Sequence, residues 1–313
     1  MGVYSVLSKE ELNYIEQLYN LKIEDIKYID KGILNSNFIL KTCTANYILR
    51  VFEADRSFEE EEQELKLLEN IADIVPVALA VRNKNGSFIT KHNSKKMALF
   101  NYIDGQALQF QKINRSILRE LAWYLGKFHR YSESKSIRVS DFSRKSRINL
   151  EIYLEKIENE NLEFEGRAEI LNLAKKIKKI DFLNLPMGII HSDIFPDNII
   201  LKNGQIHAIL DFNEAQYAPF IFDIATVINF WIKINRYEFQ KENEMIRDFL
   251  NNYSRYRKIK KEELVLLDFA CKKIALTFIL LRIYKEKSET GNSFSSAVEI
   301  ENKNYLEILD LIN

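Results

Sequence analysis

The sequence predicts an α+β fold of two lobes, a small sheet-rich one over residues 1–102 and a larger, mainly helical one over 103–313. Three observations carry this. Up to about residue 102 the apolar residues fall in short alternating or β-branched runs (FILKT, YILRVF, SFIT, MALFNYI) around one helix. Beyond Gly105 they recur at helical spacing over long segments. Nine glycines and four prolines leave no Gly/Ser-rich or Pro-rich linker, so one lobe runs directly into the other near Asn101–Gly105. A ligand site is expected in the cleft between two such lobes.

In chain order, the amino-terminal lobe holds its strands and the acidic helix S-F-E-E-E-E-Q-E-L-K-L-L-E-N-I, whose Phe58, Leu65, Leu68 and Ala72 form an apolar stripe. Candidate helices follow at 115–131, 146–159, 165–180, 220–234, 238–254, 261–285 and 297–312. Three short apolar strands, GIIH, NIIL and IHAIL, interrupt them between residues 188 and 210; Lys202-Asn203-Gly204-Gln205 turns the last two into a hairpin.

Forty-five basic against 45 acidic side chains give no net charge and no pull on a polyanion, so neither a nucleic-acid nor a membrane partner is expected. Cys43 and Cys271 are far apart without neighbouring histidines, which suggests neither a disulfide framework nor a thiolate zinc site. The first residues lack the pattern of an export signal, and the run from Ile274 to Leu281 is too short to span a bilayer. A cytoplasmic monomer or homodimer is the expectation.

The chemistry concentrates in GIIHSDIFPDNIILKNGQIHAILDF, residues 188–212. Asp193 and Asn198 share a polar loop between two strands, and Asp211 follows the third. Phosphoryl transfer from ATP needs such an inventory: a carboxylate to accept the proton of the attacking hydroxyl, and hard oxygen ligands for Mg²⁺. Asp193 suits the first role, Asn198 and Asp211 the second. One Asp-x-x-x-x-Asn alone would be an ordinary turn, but His191, Asp193, Asn198 and Asp211 each stand against a strand. His191 reads as a hydrogen-bonded orienting residue. His92, His129 and His207 share no metal-ligand spacing.

The string H-S-D-I-F-P-D-N followed by L-D-F resembles the catalytic and metal-binding loops of the aminoglycoside phosphotransferase-like kinases, which have a protein-kinase-like fold. Within them, V-Y-S-V-L-S-K-E-E-L, G-I-L-N-S-N-F and A-L-T-F-I-L-L-R-I-Y are similar to the homoserine kinases. The resemblance spans nearly the whole chain. It implies Asp193 as base, Asn198 and Asp211 as Mg²⁺ ligands, and Asp223 as a brace accepting backbone N–H bonds of the catalytic loop. It makes Arg50, in Y-I-L-R-V-F, the basic residue for the ATP phosphates, paired with a glutamate of the next helix. Glu61 lies near the middle of that helix's apolar face and Glu64 toward its edge, so Glu61 is the expected partner and Glu64 the alternative. Gly32, Asn35, Ser36 and Asn37 would form the loop covering the nucleotide, and the backbone from Asn101 to Ile103 the hinge that pairs with adenine.

A homoserine-like alcohol would need a cation for its carboxylate, for which Arg282 is the candidate, with Asn229 and Trp231 lining the pocket and Glu214 toward the ammonium. An arginine ending an apolar stripe also caps helices, and a buried tryptophan is often core. Choline, ethanolamine or an aminoglycoside is the alternative substrate. A non-catalytic kinase-like binding module is the alternative of another class, against which the retained Asp193, Asn198 and Asp211 argue.

Overall fold

The computed structural model describes residues 5–29, 35–53, 55–135, 137, 138, 140–288 and 304–312. They divide into two compact units, residues 5–73 and 77–104 in one and 74–76, 105–288 and 304–312 in the other. No described helix is long and apolar enough to cross a membrane.

The first unit is an antiparallel sheet of β1 (Ile23–Ile29), β2 (Asn35–Thr42), β3 (Asn46–Phe52), β4 (Ala80–Val81), β5 (Ile89–His92) and β6 (Lys95–Asn101). The spatial order is β1-β2-β3-β6-β4, with β5 also on β6. Alternation places Phe38, Leu40, Leu49, Val51, Met97 and Leu99 on one face, where they enclose Ile15. Ile15 belongs to α1 (Lys9–Tyr19), a helix beyond the one the sequence suggested; Ser8 and Glu11 close its first turn as a capping box. Helix α2 (Phe58–Ile71) opens on a second such box, Ser57 with Glu60.

In the second unit β7 (Gln106–Ala107), β9 (Ile199–Lys202) and β10 (Gln205–Ile209) form one small sheet, and β8 (Met187–Ile190) pairs with β11 (Gln216–Pro219) in another. Asn203 and Gly204, both at positive φ, make the β9–β10 turn. The helices are α3 (Arg115–Ser134), α4 (Leu150–Asn159), α5 (Arg167–Lys178), α6 (Ile221–Val227), α7 (Phe239–Tyr253), α8 (Lys261–Lys287) and α9 (Tyr305–Leu309). The helix expected over 220–234 ends instead at Val227 and continues as a π-turn, Ile228–Ile232, and a 3₁₀ turn. The helix expected over 297–312 falls partly outside the described residues, and α9 is what lies within them.

Strand β8 leads into the loop of Asp193 and Asn198, and it lies so close to α3 that only a glycine fits at position 188. A Cβ there would meet the Phe220 ring and the Ser132 hydroxyl, which itself accepts the Ile189 N–H at 2.6 Å. Gly188→Ala should therefore overpack this contact and lower stability by about 1–3 kcal/mol. Thermal melts test this; an unchanged midpoint would show that β8 has room to shift.

Candidate active site

Strand β8 delivers His191, and the backbone then turns sharply: Ser192 sits at φ 66°, in the left-handed region. Asp223 holds the turn. Its Oδ2 accepts the His191 N–H and its Oδ1 the Ser192 N–H, both at 2.8 Å. The Ser192 hydroxyl accepts from Gln216 Nε2 at 3.0 Å, a bond glycine could not make. His191 is buried and hydrogen-bonded through both ring nitrogens, Nε2 to the Leu210 carbonyl at 2.9 Å and Nδ1 to the Asp193 N–H at 3.2 Å. Because a backbone N–H can only donate, Nδ1 is the accepting nitrogen and the ring is the neutral Nε2–H tautomer. Burial, opposed by Asp223 and the Leu210 carbonyl, lowers its pKa in keeping with that form.

Asn198, at the end of a 3₁₀ turn, donates through Nδ2 to the Asp193 carbonyl at 2.8 Å and to Asp193 Oδ2 at 3.1 Å. The amide oxygen of Asn198 is thereby turned away from Asp193. Asp211 stands at φ 61° and caps the 3₁₀ turn Phe212–Glu214. Burial, then Asp211, Asp197 and Glu214, push the Asp193 carboxyl well above its usual range. The donor set is hard oxygen in an excess of negative charge, which fits a divalent cation at Asn198 and Asp211.

Asp223 itself is fully buried, and its third bond is to His129 Nε2 at 3.1 Å. His129 Nδ1 meets the Tyr253 hydroxyl at 2.8 Å, Tyr253 accepts from Arg257 Nη1 at 3.2 Å, and Arg257 pairs with Glu263 through two bonds of 3.0 Å. None of these four supports was identified in the sequence. The only local signal is a polar residue on the apolar face of α3 beside Leu125 and Phe128; their partners lie far along the chain.

Four expected substrate residues are placed differently. Arg282 lies within α8 rather than closing it, buried, with Nη1 on the Phe278 carbonyl one turn back at 3.1 Å. Asn229 and Trp231 are fully buried on the π-turn: Asn229 Nδ2 donates to the Cys271 carbonyl, and Trp231 Nε1 to the carbonyl of Ile194, next to Asp193, each at 2.8 Å. Trp231 thus holds the loop of Asp193 from the core. The Glu214 carboxylate is occupied by Ser146 Oγ at 2.8 Å and by the Arg147 N–H and guanidinium.

In the first unit Arg50 Nη1 pairs with Glu64 Oε1 at 2.9 Å, which moves the pairing from the expected Glu61 to Glu64. The reason is rotational. Phe58 is exposed while Leu67 and Ile71 are buried, which turns the packed face of α2 by roughly 60° toward Glu64. Glu61 is buried as well. Asn35, Ser36 and Asn37 are ladder residues of β2 rather than a loop. Ser36 Oγ donates to Glu53 Oε1 at 2.6 Å, Asn35 Oδ1 accepts the Glu53 N–H at 3.3 Å, and Asn37 Nδ2 donates to the Asn35 carbonyl at 3.4 Å. Gly32 lies outside the described residues. Asn101, expected at the hinge, ends β6 with its N–H on the Leu79 carbonyl at 2.9 Å, and Ile103 follows half-buried.

A sequence profile of the phosphotransferase enzyme family (APH) matches residues 25–259, three quarters of the chain. The chain belongs to that family. Curated relatives of this phosphotransferase include a homoserine kinase of Zymomonas mobilis, 26% identical over 299 residues covering 91% of this chain and 89% of the relative, and one of Caulobacter vibrioides, 28% identical over 291 residues covering 90% and 89%. Among solved structures it is similar to an amicoumacin kinase in complex with AMP-PNP and Ca²⁺ (TM-score 0.74, 15% identity, 98% of this chain and 92% of that one). A microcompartment-associated aminopropanol kinase gives 0.70, at 15% identity over 97% and 95%. The fold is therefore kinase-like, and the chain is a phosphotransferase of the small-molecule kinase kind.

Burial also lowers the pKa of His129 from its ordinary 6.5, against the pull of Asp223. Between its folded and unfolded values only the unfolded chain takes up the proton, so stability is lost as pH falls below 6.5. Unfolding free energy of the wild type should drop faster than that of His129→Gln, by up to about 1.4 kcal/mol per pH unit. Denaturant titrations between pH 7 and pH 5 measure this; parallel curves would mean that His129 is not held neutral.

Proposed function

We propose that this phosphotransferase transfers the γ-phosphoryl group of ATP, with Mg²⁺, to the hydroxyl of homoserine, giving O-phosphohomoserine for threonine biosynthesis. The observation that carries the chemistry is the Asp193 carboxylate, fixed on Oδ2 by Asn198 within a loop hung from Asp223. Its Oδ1 makes no hydrogen bond among the described residues and is the oxygen that would receive the proton of the acceptor hydroxyl. As that proton leaves, the hydroxyl oxygen forms its bond to phosphorus, and the bond from phosphorus to the ADP oxygen breaks. Asn198 Oδ1 and the Asp211 carboxylate are the groups for Mg²⁺, which when bound neutralises phosphate charge. Arg50, oriented by Glu64, is the group for the phosphates, and the Asn101–Ile103 backbone the adenine contact. Homoserine is supported by the curated relatives, whose match covers about nine tenths of both chains.

A coupled ADP-release assay over homoserine, choline, ethanolamine and aminoglycosides tests the reading, with homoserine expected to be turned over best; preference for another alcohol would replace it. Asp193→Asn should lower turnover by a factor of at least ~10² at unchanged ATP affinity, the scale of losing a positioned base. Near-normal turnover would take Asp193 out of the mechanism. Asp211→Ala should abolish Mg²⁺-dependent ATP binding in calorimetry, and unchanged affinity would refute the metal assignment.

A further inference from the structure

The segment between α3 and α4 folds against the turn that follows Asp211, and two of its arginines meet that turn differently. Arg144 is buried, with Nε and Nη2 on the Asn213 carbonyl at 3.2 and 2.7 Å. Arg147 reaches Glu214: Nε and Nη2 lie 3.3 and 3.2 Å from Oε1, and its backbone N–H is 2.6 Å from Oε2. The pair is open on one side only, for the Arg147 side chain is 37% exposed and that of Glu214 2%. The remaining nitrogen of the guanidinium, Nη1, makes no hydrogen bond among the described residues.

This places an oriented cation beside the catalytic loop. Ser146, the residue before Arg147, donates its N–H to Gln216 Oε1 at 3.4 Å, and Gln216 Nε2 donates to the Ser192 hydroxyl, next to Asp193. Glu214 closes the same 3₁₀ turn that Asp211 opens, near enough for its charge to act on Asp193. A guanidinium fixed along one edge keeps its other N–H groups set for a second oxyanion, so little rotamer freedom is lost on binding.

We propose that Arg147 binds the α-carboxylate of the acceptor and thereby sets a preference for an amino-acid alcohol over an amino alcohol without a carboxylate. Glu214 is then a positioning residue for Arg147. The proposal rests on the homoserine reading and moves the carboxylate partner from Arg282, whose Nη1 is on its own helix, to Arg147.

The test compares L-homoserine with 3-aminopropan-1-ol, which keeps the amino and hydroxyl groups and lacks the carboxylate. Wild type should favour homoserine in kcat/KM, and Arg147→Met should reduce the ratio of the two values by about 10- to 10³-fold, with Arg147→Lys recovering part of it. If wild type favours homoserine and Arg147→Met keeps the same ratio, the carboxylate partner lies elsewhere and the homoserine reading stands. If wild type shows no preference for homoserine, that reading fails and this inference with it. Should Arg147→Met not fold, Arg147→Gln is carried through the same comparison with the same two outcomes.

Discussion

A carboxylate sealed from water is costly unless its oxygens are fully bonded, and Asp223 meets that condition by drawing three donors onto itself. Two are the consecutive N–H groups of His191 and Ser192, which can both point at one carboxylate because the chain turns into the left-handed region at Ser192. The direction in which Asp193 leaves the strand follows from that turn. The third donor, His129, ties the same anion to Tyr253, Arg257 and Glu263, so each charge in the buried chain has an opposite charge or a donor against it. The loop that presents Asp193 is thus shaped by a buried carboxylate 30 residues further along the chain.

Above this support the electrostatics reverse. Asp193, Asp197, Asp211 and Glu214 share one neighbourhood, and burial first, then their repulsion, raises the affinity of Asp193 for a proton. Among them Glu214 is paired with Arg147.

The fold class and five of the later helices were legible to within a few residues because each is written locally in a periodicity, and Asp193, Asn198 and Asp211 stood out because one stretch of 25 residues holds all three. What was not legible depends on how distant segments meet. Arg50 pairs with Glu64 because the buried face of α2 includes Leu67 and Ile71 and leaves Phe58 exposed, which a helical stripe read from Phe58 does not foresee. Trp231 and Arg282 have the residue types of a pocket, yet helix packing turned both inward. Arg147 carries no local signal, since its partner Glu214 is 67 residues on.

These separations bear on how the protein reaches its active state. The bonds that shape the loop join residues 31, 94 and 124 positions apart, between His191–Ser192, Asp223, His129 and Tyr253. Closing such spans costs chain entropy before any contact returns it, so they form late in assembly. A collapsed chain with its helices made but α3, α6 and α7 not yet packed would have Asp193 in the sequence and no defined direction for it in space. Catalytic competence should thus arrive with the final docking of the helices, which makes turnover a stricter report of complete folding than helical content.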